Sequence, residues 1–209
     1  MKFSYAGALV ALTLASLLTA CGGKAQYTVQ GTVSGLTVDG LQIKNGNDTL
    51  TVAQGATSFA FPTQIDYGAE YNISVVKNPD YFNCAVTAGS GTAGYTIAIG
   101  AAVTCTPISY SVGGTYSGLV SVENTTVNGV TSPVANTVTL INGSGASVTL
   151  SSGTATSGNF TVASLNNGGI YSISILTQPK NLTCSLTNGN GVVRGANVSN
   201  MALTCVPST

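Results

Sequence analysis

Residues 71–105 read YNISVVKNPDYFNCAVTAGSGTAGYTIAIGAAVTC, and residues 171–205 read YSISILTQPKNLTCSLTNGNGVVRGANVSNMALTC. The two stretches align without a gap at an offset of 100. They share the leading Tyr71/Tyr171, Ile73-Ser74 with Ile173-Ser174, Pro79/Pro179, Thr87/Thr187, Gly89 and Gly91 with Gly189 and Gly191, and both cysteines. Repetition at this fidelity means one folding unit present twice. Within each copy, apolar residues alternate with small polar ones and β-branched residues abound, while no window carries a long helical period. The expected class is all-β.

Upstream, YTVQGTVSGL at 27–36 and YSVGGTYSGL at 110–119 agree at seven of ten positions, at an offset of 83. The first unit is therefore placed at 27–107 and the second at 110–209, with only Ile108-Ser109 between them. A joint that short favours a semi-rigid pair. The runs DTLTV, SFAF and YTIAI extend the strand pattern, and Asn45-Gly46 predicts a tight hairpin. About seven short strands per unit, with turns every 8–12 residues, predict a β-sandwich in each.

GTVSGL, a hairpin, then a G-x-x-Y corner at Gly68–Tyr71 and Gly168–Tyr171 leading into NISV or SISI, resembles a repeat common in bacterial surface proteins and lipoproteins. The arrangement is similar to immunoglobulin-like and prealbumin-like sandwiches of the carboxypeptidase-regulatory or Cna-B type. The resemblance implies two tandem sandwich domains serving as spacers, stalks or adhesive units. It also directs attention to the Lys–Asn isopeptide crosslink that some such domains carry. For that chemistry the second unit offers only Lys180 and Glu123, and the first offers Lys44 or Lys77 with Glu70.

The N-terminus reads as a secretory signal over 1–20: one Lys, an apolar Ala- and Leu-rich run, then small residues before Cys21. Leu18-Thr19-Ala20-Cys21 resembles the lipobox of bacterial lipoproteins. That resemblance implies cleavage before Cys21, acylation of its sulfur and new amine, and a lipidated tether over 21–26. Several acyl chains hold a protein on a bilayer almost permanently, at about 0.8 kcal/mol per buried CH₂. Gly22 is not the Asp that commonly retains such lipoproteins in the inner membrane. The expected location is the outer membrane, surface-exposed or periplasm-facing.

Composition removes whole classes of chemistry. The 209 residues include six Lys+Arg, six Asp+Glu and no His. Without His there is no Ser-His-Asp triad and no imidazole ligand, and without a basic track there is no counterion release to drive nucleic-acid binding. No cofactor and no metal are called for. Four of the five cysteines pair by position, Cys84 with Cys105 and Cys184 with Cys205, each 21 apart. In an exported chain such pairs read as disulfides, and Cys21 as the lipid-bearing remainder.

Because the units can be compared, a residue in both belongs to the scaffold and a residue in one is a candidate for function. Tyr71 and Tyr171 resemble a tyrosine corner, with the ring in the core and the hydroxyl bonded to backbone. Asp80 and Tyr81 stand where the second unit has Lys180 and Asn181, and Asp66 and Tyr67 stand where it has Asn166 and Asn167. With Glu70, the first unit thus holds an acidic and aromatic set: Asp66, Tyr67, Glu70, Asp80 and Tyr81. It reads either as a ligand or partner patch or as solvated loops. The second unit carries about 14 extra residues between Val120 and Asn136, including Glu123, its only acid. This insertion reads as a surface or binding loop.

These features point to a non-enzymatic, lipid-anchored envelope protein with a structural or adhesive, protein-binding role. Self-association through bare sheet edges accompanies it, since few charges keep modules apart. Two alternatives remain: a carbohydrate-binding lipoprotein using Tyr67 and Tyr81, and an accessory lipoprotein of a secretion or pilus assembly.

Overall fold

A computed structural model describes residues 24–94, 100–121, 123–153 and 155–209. The signal segment, the lipobox and Cys21 lie outside the described residues. In the first repeat the strands are β1 (Gln26–Ser34), β2 (Leu41–Asn45), β3 (Asp48–Val52), β4 (Ser58–Asp66), β5 (Glu70–Lys77), β6 (Phe82–Thr87), β7 (Ser90–Thr92) and β8 (Ala101–Pro107). The second repeat begins with β9 (Ser109–Ser117), then the hairpin β10 (Asn124–Val127) and β11 (Val130–Pro133). It continues with β12 (Thr137–Asn142), β13 (Ser147–Ser151), β14 (Gly158–Asn166), β15 (Ile170–Thr177), β16 (Leu182–Thr187), β17 (Asn190–Val192) and β18 (Val198–Pro207). Among the described residues no helix is long and apolar enough to cross a membrane.

The architecture is all-β, two tandem sandwiches with one disulfide each. In the first repeat, sheet β4-β1-β8-β6 faces sheet β3-β2-β5-β7. The second repeats the order as β14-β9-β18-β16 and β13-β12-β15-β17. In both, the first and last strands of the repeat pair in parallel, Val33 opposite Val103 and Tyr116 opposite Leu203. Among the described residues the first repeat has eight strands and the second ten, where about seven were expected in each: the three-residue β7 and β17 add a short edge beside β5 and β15, and the second repeat also carries the hairpin β10–β11.

Period-two burial follows from the alternation in sequence. Leu41 and Ile43 on β2, Tyr71 and Ile73 on β5, and Val103 and Cys105 on β8 point into one core. Val138 and Leu140, Tyr171 and Ile173, and Leu203 and Cys205 do so in the other. The two clusters draw on separate residues, 29–105 and 110–205, so each repeat packs around its own interior.

Motifs common to both repeats have backbone reasons. Gly35 and Gly118, in the shared SGL, take φ of +73° and +76°. A Cβ there would fall 2.1 Å from the carbonyl oxygen of Cys105 or Cys205. Only glycine fits both demands. The rings of Tyr71 and Tyr171 lie in the core, and their hydroxyls rest over Gly91 and Gly191. Asn45 Oδ1 accepts the Asn72 amide at 2.9 Å, and Asn142 Oδ1 accepts that of Ser172 at 2.8 Å. The Asn-Gly pair at the end of β2 thus closes a hairpin and also ties it to β5.

Each disulfide joins residues directly opposite on neighbouring antiparallel strands, Cys84 to Cys105 across β6 and β8, Cys184 to Cys205 across β16 and β18. Such a link closes a loop of about 22 residues and constrains the unfolded chain by roughly 3 kcal/mol on the chain-entropy account.

Candidate functional site

The acidic and aromatic set of the first repeat does not form one patch. Asp66 ends β4, Tyr67 follows it and Glu70 opens β5, whereas Asp80 and Tyr81 follow the far end of β5. At about 3.3 Å per residue, β5 separates the groups by roughly 25 Å. Adjacency in sequence suggested a single surface; the strand between them makes it two.

The first group sits at the end where the chain enters the fold. The Tyr67 amide donates to Ala25 O at 2.7 Å, and the rings of Tyr67 and Tyr27 lie 6.4 Å apart at a tilt of 45°. Glu70, opposite Thr92, borders an open hollow of about 550 Å³ that also touches Asn45 and Gly91.

The second group lies against the second repeat. Tyr81 has φ of +62°, in the left-handed region that a bulky side chain rarely occupies. Its counterpart Asn181 takes φ of +53°, and asparagine tolerates that geometry better. Both residues do the same backbone work: Tyr81 O accepts the Ile108 amide at 2.8 Å, and Asn181 O accepts the Ser208 amide at 3.1 Å. Tyrosine therefore has no local reason to stand at 81. Its ring instead meets Gly195, where an added Cβ would lie 2.5 Å from Tyr81 Cε1.

Beside this contact opens a crevice of about 320 Å³ whose lining includes Val38, Asp80, Tyr81 and Pro107 from the first repeat and Asn166 and Asn167 from the second. The far end of the first repeat therefore abuts the entry end of the second, a head-to-tail joint.

Glu123 lies in the inserted segment, which folds as the hairpin β10–β11. Asn128 and Gly129 form its two-residue turn at φ of +53° and +79°. Every residue of both strands is exposed. Val127 and Val130, partners across the turn, are 63% and 65% exposed, a hydrophobic pair presented to solvent. The Thr126 and Thr131 hydroxyls bond each other at 2.9 Å.

The base of the hairpin is firmly held. The Val134 amide donates to Glu123 O at 2.8 Å, and the Ser121 hydroxyl bonds Val134 O. Asn136, the buried polar residue where the insertion rejoins the sandwich, accepts the Lys180 amide on Oδ1 at 2.8 Å. Its Nδ2 donates to Lys180 O at 2.7 Å. Glu123 Oε1 and Lys180 Nζ pair at 2.6 Å.

Lys180, Glu123 and an asparagine thus meet, as the isopeptide reading required, but not in its geometry. The Asn136 amide is engaged with the Lys180 backbone, and the Lys180 side chain is 67% exposed rather than enclosed. Among the described residues no three His, Cys, Asp or Glu side chains converge on a point that could hold a metal.

The sequence reads the insertion as a loop, whereas it forms a hairpin. Its signal was present: Val127-Asn128-Gly129-Val130 is the strongest short-range hairpin pattern. The Tyr81–Gly195 contact had no such signal, because it joins residues far apart in the chain.

Among solved structures, the chain is similar to a single B repeat unit (B1) of the collagen-binding surface protein CNA of Staphylococcus aureus. The two share 13% identity, over 88% of this chain and 100% of that one, with a TM-score of 0.28. It is also similar to the two-repeat B1B2 fragment of the same protein, at 13% identity, 88% of this chain and 50% of that one, with a TM-score of 0.27. No family model matches the chain, and no curated protein matches it. At these values the likeness carries no function across, so the function rests on the chain's own residues.

Proposed function

We propose that this chain is a non-enzymatic, lipid-anchored protein of the outer membrane whose two sandwiches form a short stalk and whose distal hairpin makes protein contact. The observation that carries the proposal is the β10–β11 hairpin. It is absent from the first repeat, exposed along its whole length and tipped by Val127 and Val130. An isolated two-stranded hairpin is marginal in water, and this one is held only at its base. Exposed valines at the tip of a hairpin anchored at its base have no role in the fold of the second repeat.

Position supports the same reading. Asn136 and Lys180 in the second repeat correspond to Asp39 and Asp80 in the first, and Asp80 lies at the joint end. The hairpin base is therefore at the end of the second repeat that faces away from the joint. Ala25 is at the opposite end of the first repeat. A lipid on Cys21 would hold the Ala25 end at the bilayer and put the hairpin about 60 Å away, two sandwiches of nine-residue strands end to end.

The test is protease accessibility on intact cells. A recognition site for a specific protease inserted between Asn128 and Gly129 should be cut on intact cells, with acyl label recovered at Cys21. Protection until lysis would turn the account to the alternative of a periplasmic accessory subunit.

A further inference from the structure

Two of the positions at which the repeats differ in chemistry converge in space. Asp80-Tyr81 replaces Lys180-Asn181, and Asn166-Asn167 replaces Asp66-Tyr67. The joint brings the first and third of these pairs to opposite walls of the 320 Å³ crevice. Asp80, Asn166 and Asn167 are exposed polar residues whose substitution leaves both cores untouched. No requirement of either sandwich accounts for their meeting.

We infer that this crevice is a binding site for a neutral, polyhydroxylated ligand, a short saccharide. Asp80 supplies a carboxylate that accepts hydrogen bonds from vicinal hydroxyls. Asn166 Oδ1 already accepts the Ser109 hydroxyl at 2.9 Å, which orients the amide and leaves its Nδ2 hydrogens to donate. Asn167 offers both a donor and an acceptor. Tyr81, 46% exposed with one side against Gly195, offers an aromatic surface, and Val38 and Pro107 offer apolar contact for C–H groups.

None of the described residues lining the crevice is basic, and Asp80 repels anions, so phosphorylated, sulfated or uronic ligands are disfavoured. A crevice of this size falls at the small end of ligand sites, suited to about one or two sugar rings. The site goes beyond the hairpin contact and does not depend on it.

The experiment is an amide NMR titration of the intact, ¹⁵N-labelled protein with maltotriose, cellotriose, mannotriose and N,N′,N″-triacetylchitotriose in turn, and with trigalacturonate as the anionic comparison. Concentrations up to about 10 mM reveal a Kd near 1 mM, roughly the weakest binding of interest. At least one neutral trisaccharide should shift the amides of Asp80, Tyr81, Asn166 and Asn167 saturably. Asp80→Ala and Asn167→Ala, which leave the Tyr81–Gly195 contact in place, should each weaken that binding roughly tenfold with the remaining spectrum unchanged. The inference is overturned if no neutral probe shifts these amides, if both substitutions leave the affinity intact, or if trigalacturonate binds as tightly. Binding that survives replacement of the hairpin would separate this site from the adhesive reading; binding lost with the hairpin would overturn the assignment to the crevice.

Discussion

The ring of Tyr81 lies against the backbone of Gly195, so close that a methyl group on Gly195 would stand 2.5 Å from Cε1. Tyr81 keeps the positive φ that Asn181 also takes in the second repeat, and from there its ring reaches Gly195, itself at φ of +66°. Two sandwiches with separate cores are thereby joined by more than the two residues between them.

Replacing Tyr81 should have opposite effects on stability and on order. Tyr81→Asn installs the residue that the second repeat uses at the same φ, and should relieve about 1 kcal/mol of backbone strain. The first repeat's unfolding transition should rise by roughly 4–8 °C in calorimetry. The interdomain orientation should at the same time become more variable, visible as a broader distance distribution in small-angle scattering.

Gly195→Ala should disturb the same joint from the other side. The left-handed φ alone costs about 1 kcal/mol for a residue with a Cβ, and the clash with the Tyr81 ring adds to it. In the double variant Tyr81→Ala/Gly195→Ala the clash term disappears and the φ term stays. A double-mutant cycle should therefore return a coupling of about 0.5–3 kcal/mol, whereas additive effects would show that the ring and Gly195 do not interact.

Asn136→Ala and Glu123→Gln should differ sharply. The first removes a buried amide and leaves the Lys180 N–H and C=O without their partners, at a cost of about 1–3 kcal/mol to the second repeat. The second removes an ion pair whose side chains are 67% and 39% exposed, worth less than about 1 kcal/mol once solvent screening is allowed for. Denaturant unfolding of both variants orders the two effects. Hydrogen exchange at the Val134 amide, at the hairpin base, should accelerate in Asn136→Ala.

Each disulfide should stabilise its own repeat. Cys84→Ala/Cys105→Ala should lower the first transition by about 3 kcal/mol and leave the second, and Cys184→Ala/Cys205→Ala should do the converse. The cores are separate, so the two losses should add.

What was legible in the sequence followed from duplication and local chemistry. The repeats, the class and the cysteine pairing could be read because the same residues recur at fixed offsets and because strand alternation is a local property. The burial of the Tyr71 and Tyr171 rings was readable for the same reason, with Gly91 and Gly191 present in both copies beneath the hydroxyls. The candidate set was read as one surface because Asp66, Tyr67, Glu70, Asp80 and Tyr81 are near in sequence. An extended β5 carries neighbours in sequence to opposite ends of the fold. Comparing repeats did identify Asp80 and Tyr81 as departures, but their partners, Asn166, Asn167 and Gly195, belong to the other repeat, and no spacing rule links them.

The central claim, that the β10–β11 hairpin makes the contact for which the stalk exists, is tested most directly by adhesion of intact cells. Cells producing the wild-type chain would be compared with cells producing Val127→Asp/Val130→Asp, which alters only residues exposed at the hairpin tip. Equal surface amounts and unchanged disulfide-dependent unfolding would establish that the variant is folded and displayed. The account predicts that the variant loses attachment, to neighbouring cells or to a protein-coated surface, that the wild type shows. Undiminished attachment by the folded, displayed variant would contradict it.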